Sequence, residues 1–150
     1  MKVLVFHIGD DRYGLPLRQV TRVLPAAALK LLPQAPVGVA GLLDMHGAPV
    51  PVLDLSAMAG MPAEQIWFDT RIILVDYPGA DAPRALGLLA EHVAGVEAIA
   101  DSALRDAGIA AAPFLGQVAS GAHGMLQLVE LAHLIPPAMQ ALLFRQELPA

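Results

Sequence analysis

Three polar residues near the middle of the chain could together hold a metal ion. Asp44 and His46 are two residues apart in a predicted turn, and Asp54 lies across the predicted hairpin that contains this turn. Carboxylate and imidazole groups are common ligands of zinc, so these residues predict a small metal-dependent hydrolase as one hypothesis. The five histidines form no H-x-x-x-H or H-E-x-x-H pattern. Asp is also common at turns, and the pattern therefore favours structural roles over a metal site.

Other catalytic patterns are absent from the sequence. Neither lysine follows a glycine, and no G-x-G-x-x-G is present, so no phosphate-binding loop of a known type is predicted. None of the three serines lies in G-x-S-x-G, and the absence of cysteine excludes a thiolate nucleophile and a disulfide framework. Glu91 and His92 could form an acid/base pair, but neighbouring residues of a strand point to opposite faces. We therefore predict neither an enzyme nor a bound cofactor.

The composition indicates a folded protein with a sparsely charged surface. Hydrophobic residues make up 56% of the chain and charged residues 15%, against roughly 25% charged in an average soluble domain. Such surfaces are where partner proteins dock. The net charge is −5 and the two lysines are far apart, so no basic stripe is available for nucleic acid or a membrane surface. Residues 107–129 lack charge but contain Pro113 and four glycines, which argues against membrane insertion and for a cytoplasmic protein.

The elements that would position these residues are predicted to be mainly short strands. Thirteen glycines and thirteen prolines interrupt the chain at short intervals. Alternating or β-branched runs separated by turn residues predict a central strand at 70–75 and three hairpins, at 3–17, 39–55 and 115–129. The strand at 49–55 is apolar on nearly both faces, which predicts a position between two layers.

Several segments are less regular in pattern. Leu17, Val20 and Leu24 have helical spacing, so we predict a helical turn that ends at Pro25. Segment 84–96 contains two glycines, and we favour a strand followed by a turn over a helix. The adjacent Trp67 and Phe68 either cap the edge of the core or anchor a partner. Short helices are predicted at 131–135 and 138–144, on either side of Pro136-Pro137.

Taken in order, these segments resemble the CheW family of chemotaxis coupling proteins. The resemblance covers about residues 3–135, and the segments that carry it are 4–15, 20–24, 32–36, 39–47, Pro51-Val52-Leu53-Asp54-Leu55, 70–75, 86–93 and 126–135. It implies a mainly β fold of two small five-stranded SH3-like barrel lobes packed together, with short helices near the C-terminus. It also implies a single CheW-like domain over 1–150, whose C-terminal helix and tail occupy about 136–150.

The resemblance implies a scaffold without enzymatic activity. Members of the family couple the cytoplasmic tips of chemoreceptors to the regulatory domain of the histidine kinase CheA, in arrays recruited to the membrane. Carried over by position, the expected receptor-binding residues are Val20, Arg22, Gly41, His46 and Gly47. The expected kinase-binding residues are Leu89, Val93, Arg105 and Ile109.

Two positions depart from the family pattern. The hairpin turn of the family usually reads Asn-x-Arg-Gly, and its arginine contributes to receptor binding, whereas this chain has His46 there. Arg22 stands where the family commonly has an acidic residue. Segments 32–36, 86–92 and 114–120 resemble more narrowly the adaptor of Wsp-type surface-sensing pathways, which control cyclic-di-GMP. A pilus-motility adaptor is the alternative.

Overall fold

The chain is built mainly from short strands, as seen in a computed structural model that describes residues 1–78, 83–121 and 123–144. The predicted tail at 145–150 lies outside the described residues. The strands are β1 (Lys2–Ile8), β2 (Asp11–Pro16), β3 (Val20–Pro25), β4 (Val39–Met45), β5 (Ala48–Asp54), β6 (Arg71–Tyr77), β7 (Arg84–Ala98), β8 (Leu104–Arg105), β9 (Leu115–Gly121) and β10 (Gly124–Val129). Two α-helices, α1 (Leu55–Met58) and α2 (Pro137–Leu143), accompany them, with 3-10 turns at Leu17–Gln19, Asp101–Ala103 and Leu131–His133.

The long strand β7 belongs to two sheets and connects them. The second half of β7 pairs with β1, in a first sheet of order β7-β1-β2-β10-β9-β8, which forms the first lobe. The first half of β7 pairs with β6 and β5, in a second sheet of order β4-β5-β7-β6-β3, which forms the second lobe. The predicted mainly β fold is confirmed. Within the described residues the hydrogen-bonded path does not close into a ring, and a single bridge from Lys30 to Leu42 joins the connector after β3 to β4.

Strands that are apolar on both faces separate three hydrophobic clusters. Along β1, Val3 and Val5 pack inside the first lobe, whereas Leu4, Phe6 and Ile8 pack in the central core between the lobes. Strand β5 divides in the same way: Val50 and Val52 lie inside the second lobe, and Leu53 lies in the central core. The alternation of a pleated strand produces this division. The predicted position of 49–55 between two layers is thus confirmed.

Two segments differ from their predicted conformations. The predicted helical turn at 17–24 is wrong, because only Leu17–Gln19 is helical and Val20–Pro25 pairs with β6 as a strand. The β-branched residues of Val20–Pro25 favour a strand. Pairing with the distant strand β6 stabilises this strand over the helix that the spacing of apolar residues predicts. The segment 84–96 continues as one strand to Ala98 instead of ending in a turn. It bends where His92 and Gly95 adopt positive φ angles of 47° and 106°.

The C-terminal segment is held to the central core by the buried hydroxyl of Tyr77. This hydroxyl accepts a hydrogen bond from the Ile135 amide at 3.3 Å and donates to the Ala132 carbonyl at 3.3 Å. The Tyr77 ring stacks on Phe144 with a centroid distance of 5.8 Å. Burial raises the pKa of Tyr77 above its ordinary value of 10.0, although its hydrogen bond with Ile135 acts to lower it.

We therefore expect the free energy of unfolding to fall as the pH rises above 10.0. In the unfolded chain Tyr77 loses its proton at its ordinary value, whereas the folded state retains the proton to higher pH, so deprotonation favours unfolding. Tyr13 contributes in the same direction, because burial raises its pKa and the charge of Asp11 raises it further. Urea unfolding between pH 8 and 11 measures the slope, which Tyr77→Phe should reduce. An unchanged slope in Tyr77→Phe would contradict the assignment.

Candidate functional site

The predicted receptor residues Val20 and Arg22 lie on an edge strand. Within the described residues β3 pairs only with β6, so its other edge carries free backbone groups. Arg22 is exposed and Val20 is half-buried. This edge can therefore contact a partner through both its backbone and the Arg22 guanidinium.

The predicted receptor residues His46 and Gly47 form the tip of the β4–β5 hairpin. They have φ angles of 54° and 93°, and positive φ at both central residues is the signature of a type I′ turn, which matches the twist of paired strands. The Asp44 carboxylate accepts a hydrogen bond from the Gly47 amide at 2.7 Å, which fixes the turn. The imidazole of His46 is exposed.

Gly41 is buried and cannot present a side chain to a partner. Its φ is 149°, and a Cβ atom there would lie 2.6 Å from the Lys30 carbonyl oxygen. Lys30 and Leu42 exchange two backbone hydrogen bonds of 2.9 Å beside it. The lack of a side chain at Gly41 thus allows the segment after β3 to pair with β4 at Leu42.

Strand register places the exposed receptor candidates at one end of the second sheet. Val20 pairs with Val75, and Val75 pairs with Leu86. Because β5 runs parallel to β7 with Val52 opposite Gly87, the hairpin tip extends past the start of β7. The edge of β3 and the tip at His46 therefore share this end.

The residues of the metal hypothesis lie far apart. Asp44 pairs with Pro49, five residues before Asp54 on β5, a span of about 17 Å along an extended strand. The Asp54 carboxylate instead caps α1 by accepting a hydrogen bond from the Ala57 amide at 3.2 Å. Over residues 1–78, 83–121 and 123–144, no three His, Cys, Asp or Glu side chains are grouped so as to hold a metal ion. The hydrolase hypothesis therefore lacks its ligand set.

The predicted kinase residues are distributed over both lobes. Leu89 packs against the core of the second lobe and Val93 against the central core, and both are half-buried. Arg105 lies on β8 of the first sheet, where its guanidinium donates to the Ser102 and Leu104 carbonyls. Ile109 is 81% exposed. Arg105 and Ile109 are thus exposed, whereas Leu89 and Val93 present only part of their surface to a partner.

The expectation that Glu91 and His92 face opposite sides is wrong. The left-handed backbone at His92 interrupts the alternation of β7, and both residues line one cleft. Glu91 is buried and accepts hydrogen bonds from the Trp67 indole and the Ser56 hydroxyl, each at 3.0 Å. His92 contacts the Asp69 carboxylate at 2.7 Å through Nδ1. This cluster contains residues that the site predictions omitted.

The chain matches the family model described as a CheW-like domain over residues 2–138. It belongs to the CheW-like family. Among curated relatives, this CheW-like chain is 32% identical to protein FrzA of Myxococcus xanthus over 140 residues, covering 90% of this chain and 85% of that protein. It is 26% identical to the chemotaxis protein CheW of Rhizobium meliloti over 139 residues, covering 90% and 87%.

A solved structure has the same fold. The scaffolding protein TtCheW from Thermoanaerobacter tengcongensis superposes with a TM-score of 0.81 at 23% identity, and the match covers 92% of this chain and 89% of that one. Identity this low supports the fold alone. In the described part of the CheW-like chain, no helix has the length and apolar character needed to cross a membrane.

Proposed function

We propose that this CheW-like protein is a non-enzymatic adaptor that couples chemoreceptor cytoplasmic tips to the regulatory domain of a CheA-type histidine kinase. The observation that carries the proposal is the family match over residues 2–138. The relatives named chemotaxis protein CheW support it. The adaptor acts in the cytoplasm and is recruited to receptor arrays at the membrane.

Rigid coupling between two partner surfaces is the physical requirement of such an adaptor. The central core packs β1, β5, β6 and β7 into one hydrophobic cluster, which joins the two lobes. Because the geometry between both partners is then fixed, a receptor that binds more tightly when the kinase is in one state can shift the kinase equilibrium toward that state through the adaptor.

Binding to a purified CheA-type regulatory domain tests the proposal. The regulatory domain of a CheA-type kinase from the same organism should bind the full chain without added metal or nucleotide, as measured by calorimetry. The variants Arg105→Ala and Ile109→Ala each remove an exposed side chain expected to contact the kinase, and each should weaken this binding. His46→Ala removes an exposed side chain of the receptor face and, as a control, should leave kinase binding unchanged. Absence of binding to the regulatory domain would refute the adaptor function while leaving the fold intact.

We propose that the receptor face comprises Val20, Arg22, His46 and Gly47, with Gly41 shaping it from within. We expect receptor affinity to weaken with added salt, because Arg22 is an exposed charge. Titrating a receptor tip fragment against wild type, Arg22→Ala and His46→Gln at two salt concentrations measures this effect, and Arg22→Ala should weaken binding and reduce its dependence on salt. Unchanged affinity in Arg22→Ala and His46→Gln would remove these side chains from the contact surface.

The pathway served by the adaptor is proposed to be of the Wsp type, with cyclic-di-GMP as its output. The segments at 32–36, 86–92 and 114–120 support this proposal by their resemblance to that subgroup. Deletion of the gene should change the cellular cyclic-di-GMP level on surface contact. A deletion that alters only swimming or pilus-driven movement would instead favour a flagellar or pilus-motility adaptor.

A further inference from the structure

A cleft of about 420 Å³ opens where the two lobes meet, and it has no assigned role. We call it the junction cleft. It is lined by the β1–β2 turn at Gly9 and Asp10, the connector residues 61–64, Trp67, Glu91 and His92. The connector contacts the β1–β2 turn here, since the Met61 methyl group lies only 2.8 Å from the position that a Cβ atom on Gly9 would occupy. The volume falls within the range of binding pockets for small groups.

The charge of the junction cleft is negative. Asp10, Glu64 and Glu91 contribute carboxylates to its lining, whereas none of the lining residues in the described part of the chain is a lysine or arginine. The neighbouring Asp69 contacts His92, and Arg71 donates to the Phe68 and Thr70 carbonyls. Glu91 is 8% exposed, and both its oxygens accept from neutral donors. Within the described residues it forms no salt bridge, although each carboxylate oxygen has capacity for a further donor.

Aromatic and apolar groups surround these carboxylates. The Trp67 indole N–H donates to Glu91, and this hydrogen bond polarises the ring toward greater electron density on its face. Exposed hydrophobic side chains flank the cleft on the same connector: Met61 is 52% exposed, Ile66 61% and Phe68 97%. A smaller cavity that includes Ile66 adjoins the cleft and shares Ala63 and Glu91 with it. Exposed apolar groups beside a pocket are typical of a protein-binding surface.

The junction cleft lies at the opposite end of the second sheet from the proposed receptor face. Glu91 follows Ala90, which pairs with Arg71 at the start of β6, whereas Val20 and the hairpin tip lie toward the start of β7. From Ala48 to Asp54 alone, β5 spans about 20 Å in this direction. A partner in the cleft therefore leaves the receptor face free.

We propose that the junction cleft binds an arginine side chain from an apolar segment of a partner protein. The guanidinium meets the carboxylates of Asp10, Glu64 and Glu91 and stacks on Trp67, while the flanking apolar residues of the segment cover Met61, Ile66 and Phe68. A guanidinium suits this site better than an ammonium, because it is planar, more weakly hydrated and able to stack on an aromatic ring. This inference goes beyond the adaptor function and does not depend on it.

The test titrates the full ¹⁵N-labelled chain with the capped peptide Ac-Leu-Arg-Leu-amide and records amide and indole resonances. We expect the largest shifts at the Trp67 indole N–H, Asp10 and His92. The matched peptide with citrulline in place of arginine keeps the shape and removes the charge, and it should bind about tenfold more weakly. Arginine amide alone tests whether a small free cation suffices, and equal affinity for it would overturn the requirement for an apolar segment.

Two paired variants separate the site from general charge effects. Asp10→Asn with Glu64→Gln removes two exposed carboxylates of the cleft and should weaken binding of the arginine peptide at least fivefold. Asp76→Asn with Asp101→Asn removes two exposed carboxylates elsewhere and should leave binding unchanged. Equal loss in both variants, equal binding of the citrulline peptide, or shifts spread over the surface would each overturn the proposal. So would the absence of any shift at 10 mM peptide.

Discussion

Replacing Phe6 with alanine is expected to lower the free energy of unfolding by about 3 to 5 kcal/mol. The ring is fully buried in the central core between the two lobes, where it stacks on Tyr13 at a centroid distance of 6.1 Å. Removal leaves a cavity that neighbouring strands cannot fill without losing their pairing. Because the central core joins both lobes, the destabilised protein should still unfold in one transition.

Urea unfolding measures this effect through two probes. Far-ultraviolet circular dichroism follows both sheets, and fluorescence of the single tryptophan, Trp67, follows the connector of the second lobe. Phe68→Ala is the control, since it is the same substitution at a ring that is 97% exposed and should change stability by less than about 0.5 kcal/mol. Separate transitions by the two probes would contradict a shared core.

The variant Gly41→Ala is expected to destabilise the protein by about 3 kcal/mol. The new Cβ atom would meet the Lys30 carbonyl oxygen at 2.6 Å, and backbone cannot move aside as a flexible side chain can. The positive φ of Gly41 adds strain for any residue with a side chain. We expect the segment between β3 and β4, which contains Lys30, to separate from β4. This separation would break the paired hydrogen bonds between Lys30 and Leu42.

Gly47→Ala is the matched control for Gly41→Ala. Gly47 also has a positive φ, of 93°, but apart from its two chain neighbours nothing lies within 4 Å of the position of its Cβ, so only strain of about 1 kcal/mol is expected. Thermal unfolding of both variants compares the two effects, and hydrogen exchange of the Lys30 and Leu42 amides reports the separation directly. Equal losses of stability would show that the collision with Lys30 is unimportant.

Local turn chemistry explains why the three hairpins could be predicted. Each hairpin contains turn residues that reverse the chain between neighbouring strands. These residues are Gly9-Asp10-Asp11, His46-Gly47, and the glycines at 121 and 124. The parallel pairings of β5 with β7 and of β10 with β2 join distant segments, and no local pattern encodes them. The same non-local pairing converts Val20–Pro25 from the predicted helical turn into a strand.

The candidate site was predicted less completely than the fold. The metal hypothesis used residue types that are typical of metal ligands, at Asp44, His46 and Asp54. Hairpin pairing places Asp44 beside Pro49, near the start of β5, whereas Asp54 is at the end of β5. The grouping of Trp67, Glu91 and His92 depends on a positive φ at His92, which a residue other than glycine seldom adopts. Sequence periodicity assumes regular alternation and so places these side chains apart.

The continuity of β7 through both sheets confines the change of pairing partner to residues 91–95. Four steps along β7, from Glu91 to Gly95, lie opposite two steps along β1, from His7 to Val5, so this bend holds two more residues than regular pairing needs. We therefore expect an inserted residue to be accommodated within the bend. A residue inserted between Leu86 and Ala90 would instead shift part of the pairing with β6 and turn the affected side chains to the opposite face of the sheet.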